Sequence, residues 1–455
     1  MLTQGDAVTT AMQLAEGPRR HEQERLERIH HALQPDIDTD DVHVPRDAKA
    51  EMLTFARKSR TNYLPLVVDV LSQSLRVVGY RPARSADDSP VWDIWQANGM
   101  DARQTGIHRA ALRYGMSYVL VLPGEAFPSL RGFSPRDVTV VYGEDDDEWP
   151  LLALRKAGHG AWRLYDEEAE YFLGVEEGVN GRPEWRFIES RVHGLGVCPW
   201  VRYRDRMEVE DDLPLGAVEP LIPIQHRIDE TVFGLLTAQH FSAFHQRWIT
   251  GWDVPKDSDG RPIRPLDASV RKLWAFADPD VRIGEFAQTD LGGYLSSKDS
   301  AVRDLSAISQ LPPQAFLGAV ANMSAEALAA AEAGKDRRAE EIETSLGESH
   351  EQMLRLAALA WGDEASAEDT SAEVRWADTT ARSLAQAVDA LGKAAQMLGV
   401  PPQGLWPMIP GVSEQDIARW TALAEQGDSL GQFAAMLDRQ TAALMAPATT
   451  PEQPA

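Results

Sequence analysis

TDLGGYLSSKDSAVRDLSAISQLPPQAFLGAVANMSAEALAAAEAGKDRRAEEIETSLGESHEQMLRLAALAW, residues Thr289–Trp361, holds two helical patterns separated by a proline pair. Leu291, Tyr294, Leu295, Val302, Leu305 and Ile308 fall on one stripe at a period of 3.6, with Lys298, Asp299, Arg303 and Asp304 off it. Pro312 and Pro313 stop this first helix. Proline lacks the backbone donor and pushes the preceding Leu311 towards an extended conformation. Ser324 is then a good N-cap, and Glu326 suits the positive end of a helix dipole. No proline follows until after Trp361, so the second helix would be roughly 55 Å long at about 1.5 Å per residue. Gly334 and Gly347 are candidate bends. Ile342, Leu346, Ser349, Met353, Leu356 and Ala360 step alternately by four and three, a narrow seam for a partner helix. Two readings stand at this point: a core helix of a large α domain, or a structural element in an assembly.

The chain has 455 residues, enough for several domains with a sizeable core. Its net charge of -25 speaks against tight nucleic-acid binding through a basic face. Cys198 is the only cysteine, so no intrachain disulfide forms and a reducing compartment is expected. The N-terminus lacks a basic-then-apolar signal, and no apolar run reaches membrane-spanning length. Synthesis in a cytoplasm, without export, is the simplest expectation.

Outward from the long helix, residues 1–34 read as polar helix with Leu26, Ile29 and Leu33 on one face. The run Asp36, Asp38, Asp40, Asp41 and Asp47 has the spacing of part of a calcium loop. It lacks the turn glycine and contains Pro45, so a solvated linker is expected. One helix is expected over Ala48–Ser74, then a strand at Leu75–Tyr80, a helix from Pro90, and a helix from Ala102 to Tyr114 with Gly115 as its C-cap. Strands follow at Ser117–Leu122, Val138–Tyr142, Leu151–Arg155, Trp162–Tyr165, Ala169–Leu173, Trp185–Ile188 and Pro199–Tyr203. The acidic run Glu144–Glu148 reads as a loop tip. Pro220 and Pro223 open the next helix, with Ile224, Ile228, Val232, Leu235 and Phe241 on its apolar face. His240 and His245 do not share a face, which makes a poor metal pair. Short strands and turns occupy Arg247–Phe286, where Arg261, Arg264, Arg271 and Lys272 form the one locally basic cluster. After Trp361 come an acidic linker (Asp363–Thr370), helices at Ser383–Leu398, from Ser413, and at Leu430–Met445, and a low-complexity tail from Ala446.

Enzyme signatures are missing. Gly194-x-Gly196 lacks the third glycine of a dinucleotide loop, and there is no phosphate-binding loop, zinc-helix motif or serine elbow. Cys198 precedes Pro199 in an apolar strand and reads as a buried thiol rather than a nucleophile. No catalytic residue, metal ligand or cofactor is expected. A soluble α-rich bacterial enzyme with an unrecognised site remains the alternative.

The order of elements, together with local blocks, resembles the portal proteins of tailed bacteriophages, of the type found in phages of actinobacteria. The blocks are Ser59-Arg60-Thr61-Asn62, Leu75–Tyr80, Trp95–Asp101, Tyr114–Val119, Leu195–Val201, Ile222–Ile228, Gln246–Gly251, Leu311-Pro312-Pro313 and Asn322–Leu328. Together they span roughly residues 45–430.

That resemblance implies an α+β, mainly helical chain of portal type. Its segments would be an N-terminal helical and linker segment (1–44), an α+β wing (45–215), stem helix 1 (216–246), a β-rich clip (247–289), stem helix 2 (290–310), a tunnel loop (311–323), a long wing helix (324–362), a helical crown (363–445) and a disordered tail (446–455). It further implies a dodecameric homo-oligomer at one capsid vertex of the virion. DNA would enter through it during packaging and leave during ejection. Expected partners are the terminase large subunit, major capsid and scaffold proteins, a head–tail adaptor and, transiently, double-stranded DNA. In the loop, Pro312, Pro313, Gln314, Phe316, Asn322 and Met323 would face DNA, the bland alternative being a helix connector with Phe316 in the core. Lys298 and Arg303 belong to the stem. Trp252, Arg261, Arg264, Arg271 and Lys272 would serve docking at the clip.

Overall fold

The computed structural model describes residues 1–36, 50–83, 90–143, 148–178, 183–209, 215–243, 247–251, 258–259, 281–285, 290–318, 325–377, 384–409, 412 and 414–427. These residues mix helix and sheet and fall into two compact units. The first comprises residues 1–27, 68–217 and 335–455, the second residues 28–67 and 218–334. The described strands are β1 (Val77–Arg81), β2 (Met116–Leu122), β3 (Ser129–Phe133), β4 (Val138–Val141), β5 (Leu152–Gly158), β6 (Ala161–Tyr165), β7 (Ala169–Glu177), β8 (Pro183–Val192), β9 (Trp200–Arg204), β10 (Arg247–Thr250), β11 (Arg282–Glu285) and β12 (Glu373–Trp376).

In the first unit β3-β2-β9 make a three-stranded sheet and β4 to β8 a five-stranded meander, all antiparallel. Strand β2 is apolar except for Ser117, whose hydroxyl donates to the Ile107 carbonyl, because both of its faces are covered. Val119 and Val121 are buried on one side. Met116, Tyr118 and Leu120 meet Val138, Ala153, Tyr165 and Trp200 on the other. Helix Met100–Tyr114 runs straight into β2. Gly115 makes the reversal with φ 86°, a conformation that costs residues with a Cβ about 1–2 kcal/mol. Helix Gln4–Glu16, capped by Thr3, lays Ala7, Ala11 and Leu14 against Leu154, Leu164, Tyr171 and Leu173 of the five-stranded sheet.

The long helix runs Ala325–Trp361, the span expected from its cap and the absence of proline. Its seam has a different use from the one its spacing suggests. Ile342, Leu346, Met353 and Leu356 are all buried within the first unit. Their surroundings include β9, where Tyr203 meets Met353, and helix Met100–Tyr114, where His108 meets His350. The seam is filled by its own chain and offers no open stripe to a partner helix.

Two further expectations need correction. Ala48–Ser74 is two helices, Ala50–Ser59 and Leu64–Ser74. Pro65 sits in the first turn of the second, where a missing donor is tolerated, and the chain between is not helical. The segment after Asp363 is more than a linker. Asp363 caps a short helix, Glu364–Ala367, and β12 then pairs with β1. Strand β3 is a further element that the sequence reading lacks, since Arg131 and Gly132 interrupt its short apolar pattern. Residues 38–47 of the calcium-like run, Glu144–Asp147, Leu430–Met445 and the tail from Ala446 lie outside the described residues.

The second unit is built on helices Ile222–Ala243 and Gly292–Ser309, which pack on each other, with Ala50–Ser59 against the first. Phe55 lies on His240, ring centroids 5.0 Å apart. Strands β10 and β11 pair antiparallel next to this helix hairpin in sequence.

Candidate functional site

The helix hairpin is set by one close approach. A Cβ on Gly234 would sit 2.9 Å from a ring carbon of Tyr294, so the aromatic ring fills the space a side chain would take. Arg227 and Asp304 form an ion pair of 2.5 Å on the half-exposed outside. The stripe on Gly292–Ser309 is narrower than its spacing suggests. Ala301, Val302, Leu305 and Ser306 are buried, but Leu295 and Ile308 are more than half exposed. On Ile222–Ala243, Ile228 is buried while Ile224, Val232 and Leu235 are only half-buried. Lys298 is half-buried and Arg303 exposed, and neither has an ion-pair partner among the described residues.

Polar residues anchor the base of this hairpin, and sequence periodicity does not reveal them. Asp229 is buried and pairs with Arg60 at 2.9 Å, their side chains 3% and 4% exposed. The Thr61 N–H and the Gln225 amide both donate to Asp229. Gln225 also accepts from the Tyr63 N–H. Arg60 and Asn62 donate to the carbonyls of Ala32 and Gln34. Burial pushes the Asp229 carboxyl up, while Arg60 and these donors hold it down. The non-helical link Arg60–Tyr63 between two helices is thus the clamp for helix Ile222–Ala243, its backbone and side-chain groups taken up by these bonds. Only its separation in sequence hides it, since the two ends are 169 residues apart.

The proline loop begins with a non-glycine residue in the left-handed region, Gln310 at φ 58°. The Ser306 hydroxyl donates to the Leu311 carbonyl at 2.6 Å, and Leu311 and Pro312 are buried while Pro313 is exposed. Gln314–Leu317 forms one helical turn closed by Gly318 at φ 64°. Phe316 is 8% exposed and stands edge-on to Tyr63, centroids 6.0 Å apart. Phe316 and Pro312 are therefore core residues of this unit, which corrects their assignment as outward contacts. Gln314 is half-buried, and its side-chain nitrogen has no partner among the described residues. Asn322, Met323, Trp252, Arg261, Arg264, Arg271 and Lys272 lie outside the described residues.

No group of three or more His, Cys, Asp or Glu side chains among the described residues is placed to hold a metal. Cys198 is buried, and burial raises its thiol well above the ordinary range, the opposite of an activated nucleophile. No helix among the described residues is long and apolar enough to cross a membrane.

The family model for the phage portal protein, SPP1 Gp6-like, matches residues 20–429. The chain belongs to this phage portal protein family. The portal protein of Mycobacterium phage D29 is 26% identical over 407 residues, covering 84% of this chain and 82% of the relative. That of Mycobacterium phage L5 is 24% identical over 437 residues, covering 91% and 88%. Among solved structures, a chain of the virion of a native gene transfer agent particle aligns with TM-score 0.47 and 14% identity, over 79% of this chain and 96% of its own. A chain from the neck of the native particle, computed with C12 symmetry, gives 0.46 with the same identity and coverage. Likeness at that level decides nothing by itself. The matched span takes in the portal's helix hairpin, its proline loop and its long helix, and leaves residues 1–19 and 430–455 outside it.

Proposed function

We propose that this portal chain assembles into a closed ring, dodecameric in the virion, at one capsid vertex. Double-stranded DNA passes along its axis during packaging and ejection. One observation carries the reading: the family match runs through residues 20–429 and so takes in nearly every element described above. The segments take the roles of wing (45–215), stem helices (216–246 and 290–310), clip (247–289), tunnel loop (311–323), long wing helix (324–362) and crown (363–445). A terminase large subunit docks on the clip during packaging, and a head–tail adaptor replaces it. Major capsid and scaffold proteins surround the wing. The chain has no catalytic role and needs no cofactor. It is made in the cytoplasm of the host bacterium and resides in the virion.

Charge supports a passage rather than a receptor. A chain of net charge -25 displaces few of the counterions condensed on DNA, so phosphate binding does not brake translocation. With Pro312 and Phe316 packed inward, the DNA-facing part of the loop begins at Leu317, which is exposed, and continues to Asn322 and Met323. No Lys or Arg occurs from Leu311 to Met323, so contact there is neutral and weak. In the clip, Trp252, Arg261, Arg264, Arg271 and Lys272 form the docking surface.

The experiment is charge reversal of Arg261, Arg264, Arg271 and Lys272 to Glu in rings. Rings that persist while terminase binding and packaging are lost support the clip assignment. Intact rings with undiminished docking and packaging refute it.

A further inference from the structure

Within the first unit, the middle of the long helix is fixed by a chain of four polar groups in a buried site. His108 Nδ1 lies 3.3 Å from the Leu75 carbonyl. Its Nε2 lies 2.8 Å from His350 Nε2, and His350 Nδ1 lies 3.0 Å from the Tyr203 hydroxyl. His108, His350 and Tyr203 are all fully buried. The carbonyl at one end fixes every proton. It can only accept, so His108 carries its hydrogen on Nδ1 and its Nε2 accepts. His350 must then donate from Nε2 and accept at Nδ1, which leaves Tyr203 to share its one O–H between that nitrogen and Met353 Sδ, 3.2 Å away. Both imidazoles are neutral, each in one defined tautomer.

Among the described residues, no carboxylate stands against the two rings to pair with an added charge. Trp95 from helix Pro90–Ala97 and Trp376 from β12 flank the rings, at 5.2 Å from His350 and 5.7 Å from His108. Tyr203 comes from β9 and Met353 from the long helix itself. Glu351, next to His350 in sequence, is held by the Val374 N–H. Arg109, next to His108, pairs with Asp69. Gln104, one turn before His108, is bound to both backbone groups of Val77.

We propose that the His108–His350 pair is a proton-operated latch that joins the long helix to the body of its unit and opens in mild acid. A proton arriving on His108 Nε2 turns the acceptor into a donor. His350 can answer only by moving its own hydrogen to Nδ1, where the Tyr203 oxygen accepts it with the O–H turned to Met353 Sδ. The bonds survive, but the pair now holds a positive charge that is fully buried with no carboxylate against it among the described residues, and that charge drives the rings apart. Protonating His350 at Nδ1 instead gives the same buried cation, with the Tyr203 oxygen as acceptor. Burial agrees in direction, pushing His108 down to about 4 and His350 well below the ordinary histidine range.

Hydrogen exchange tests this on the full-length chain, with rates corrected for the pH dependence of the chemical step. Peptides from Glu343–Ala357 are compared with peptides from the five-stranded sheet at about pH 5 and about pH 7.5. The latch predicts at least a tenfold loss of protection in the helix at the lower pH, with the sheet unchanged. In the His108→Gln/His350→Gln variant that difference disappears. Equal protection of the wild-type helix at both pH values overturns the proposal, and so does parallel loss in helix and sheet. The wild-type comparison decides alone if the variant does not fold.

Discussion

Arg60 and Asp229 show how much a single pair can hold. Both side chains are buried, and each has hydrogen bonds besides the ion pair. Asp229→Ala leaves a guanidinium without its counter-charge in the core, a loss of about 3–5 kcal/mol. A drop in the denaturant midpoint of that size, with unchanged slope, is the expected result. The buried histidines act on stability through pH. Folded, both stay neutral, while in the unfolded chain each takes a proton near 6.5. The unfolded state therefore binds more protons between that value and the folded one, about 4 for His108. Stability from this pair is complete above 6.5 and falls as the pH drops towards 4. Urea melts across that range measure the slope, which flattens in the His108→Gln/His350→Gln variant. None of this was legible in the sequence. His108 and His350 are 242 residues apart, and a lone histidine on a helix carries no periodic signal of its partner.

Elements were legible wherever the local chemistry was strong. The long helix was legible from a capping residue followed by a run without proline, and Gly115 and Gly399, at φ 86° and 68°, mark helix ends as their positions suggest. Elements defined by a distant partner were not. β12 exists as a strand because β1 pairs with it, and its four residues alternate too briefly to be read alone. The break at Arg60–Tyr63 needs Asp229 and Gln225 to make sense. For the same reason the apolar spacing at Leu295 and Ile308 overstated the buried stripe: period shows a face, while exposure depends on what the fold lays against it. The hairpin itself gives a prediction at this scale. Gly234→Leu drives a side chain into the Tyr294 ring and should cost about 1–3 kcal/mol by overpacking, in a site where glycine otherwise only weakens a helix. A Tm drop shared with no change in helix content away from the hairpin is expected, and Tyr294→Ala in the same chain should restore part of it.

At the scale of the whole molecule, the family could be read from the order of blocks, and it holds over residues 20–429. The functional residues were harder to place. Periodicity pointed to a seam for a partner helix, yet Ile342, Leu346, Met353 and Leu356 are consumed inside the chain. Apolar side chains left exposed include Leu295 and Ile308 on helix Gly292–Ser309, while Val232 and Leu235 on helix Ile222–Ala243 are half-buried. Charge substitution at Leu295 should therefore weaken assembly while sparing the fold of the single chain, as read by sedimentation and circular dichroism together. The central claim is that many copies close around a channel, and electron microscopy of the purified chain tests it most directly. End-on views should show rings with an open axial channel, dodecameric in rings taken from virions. Isolated single chains at every concentration and salt, or closed particles without an axial channel, would contradict the account.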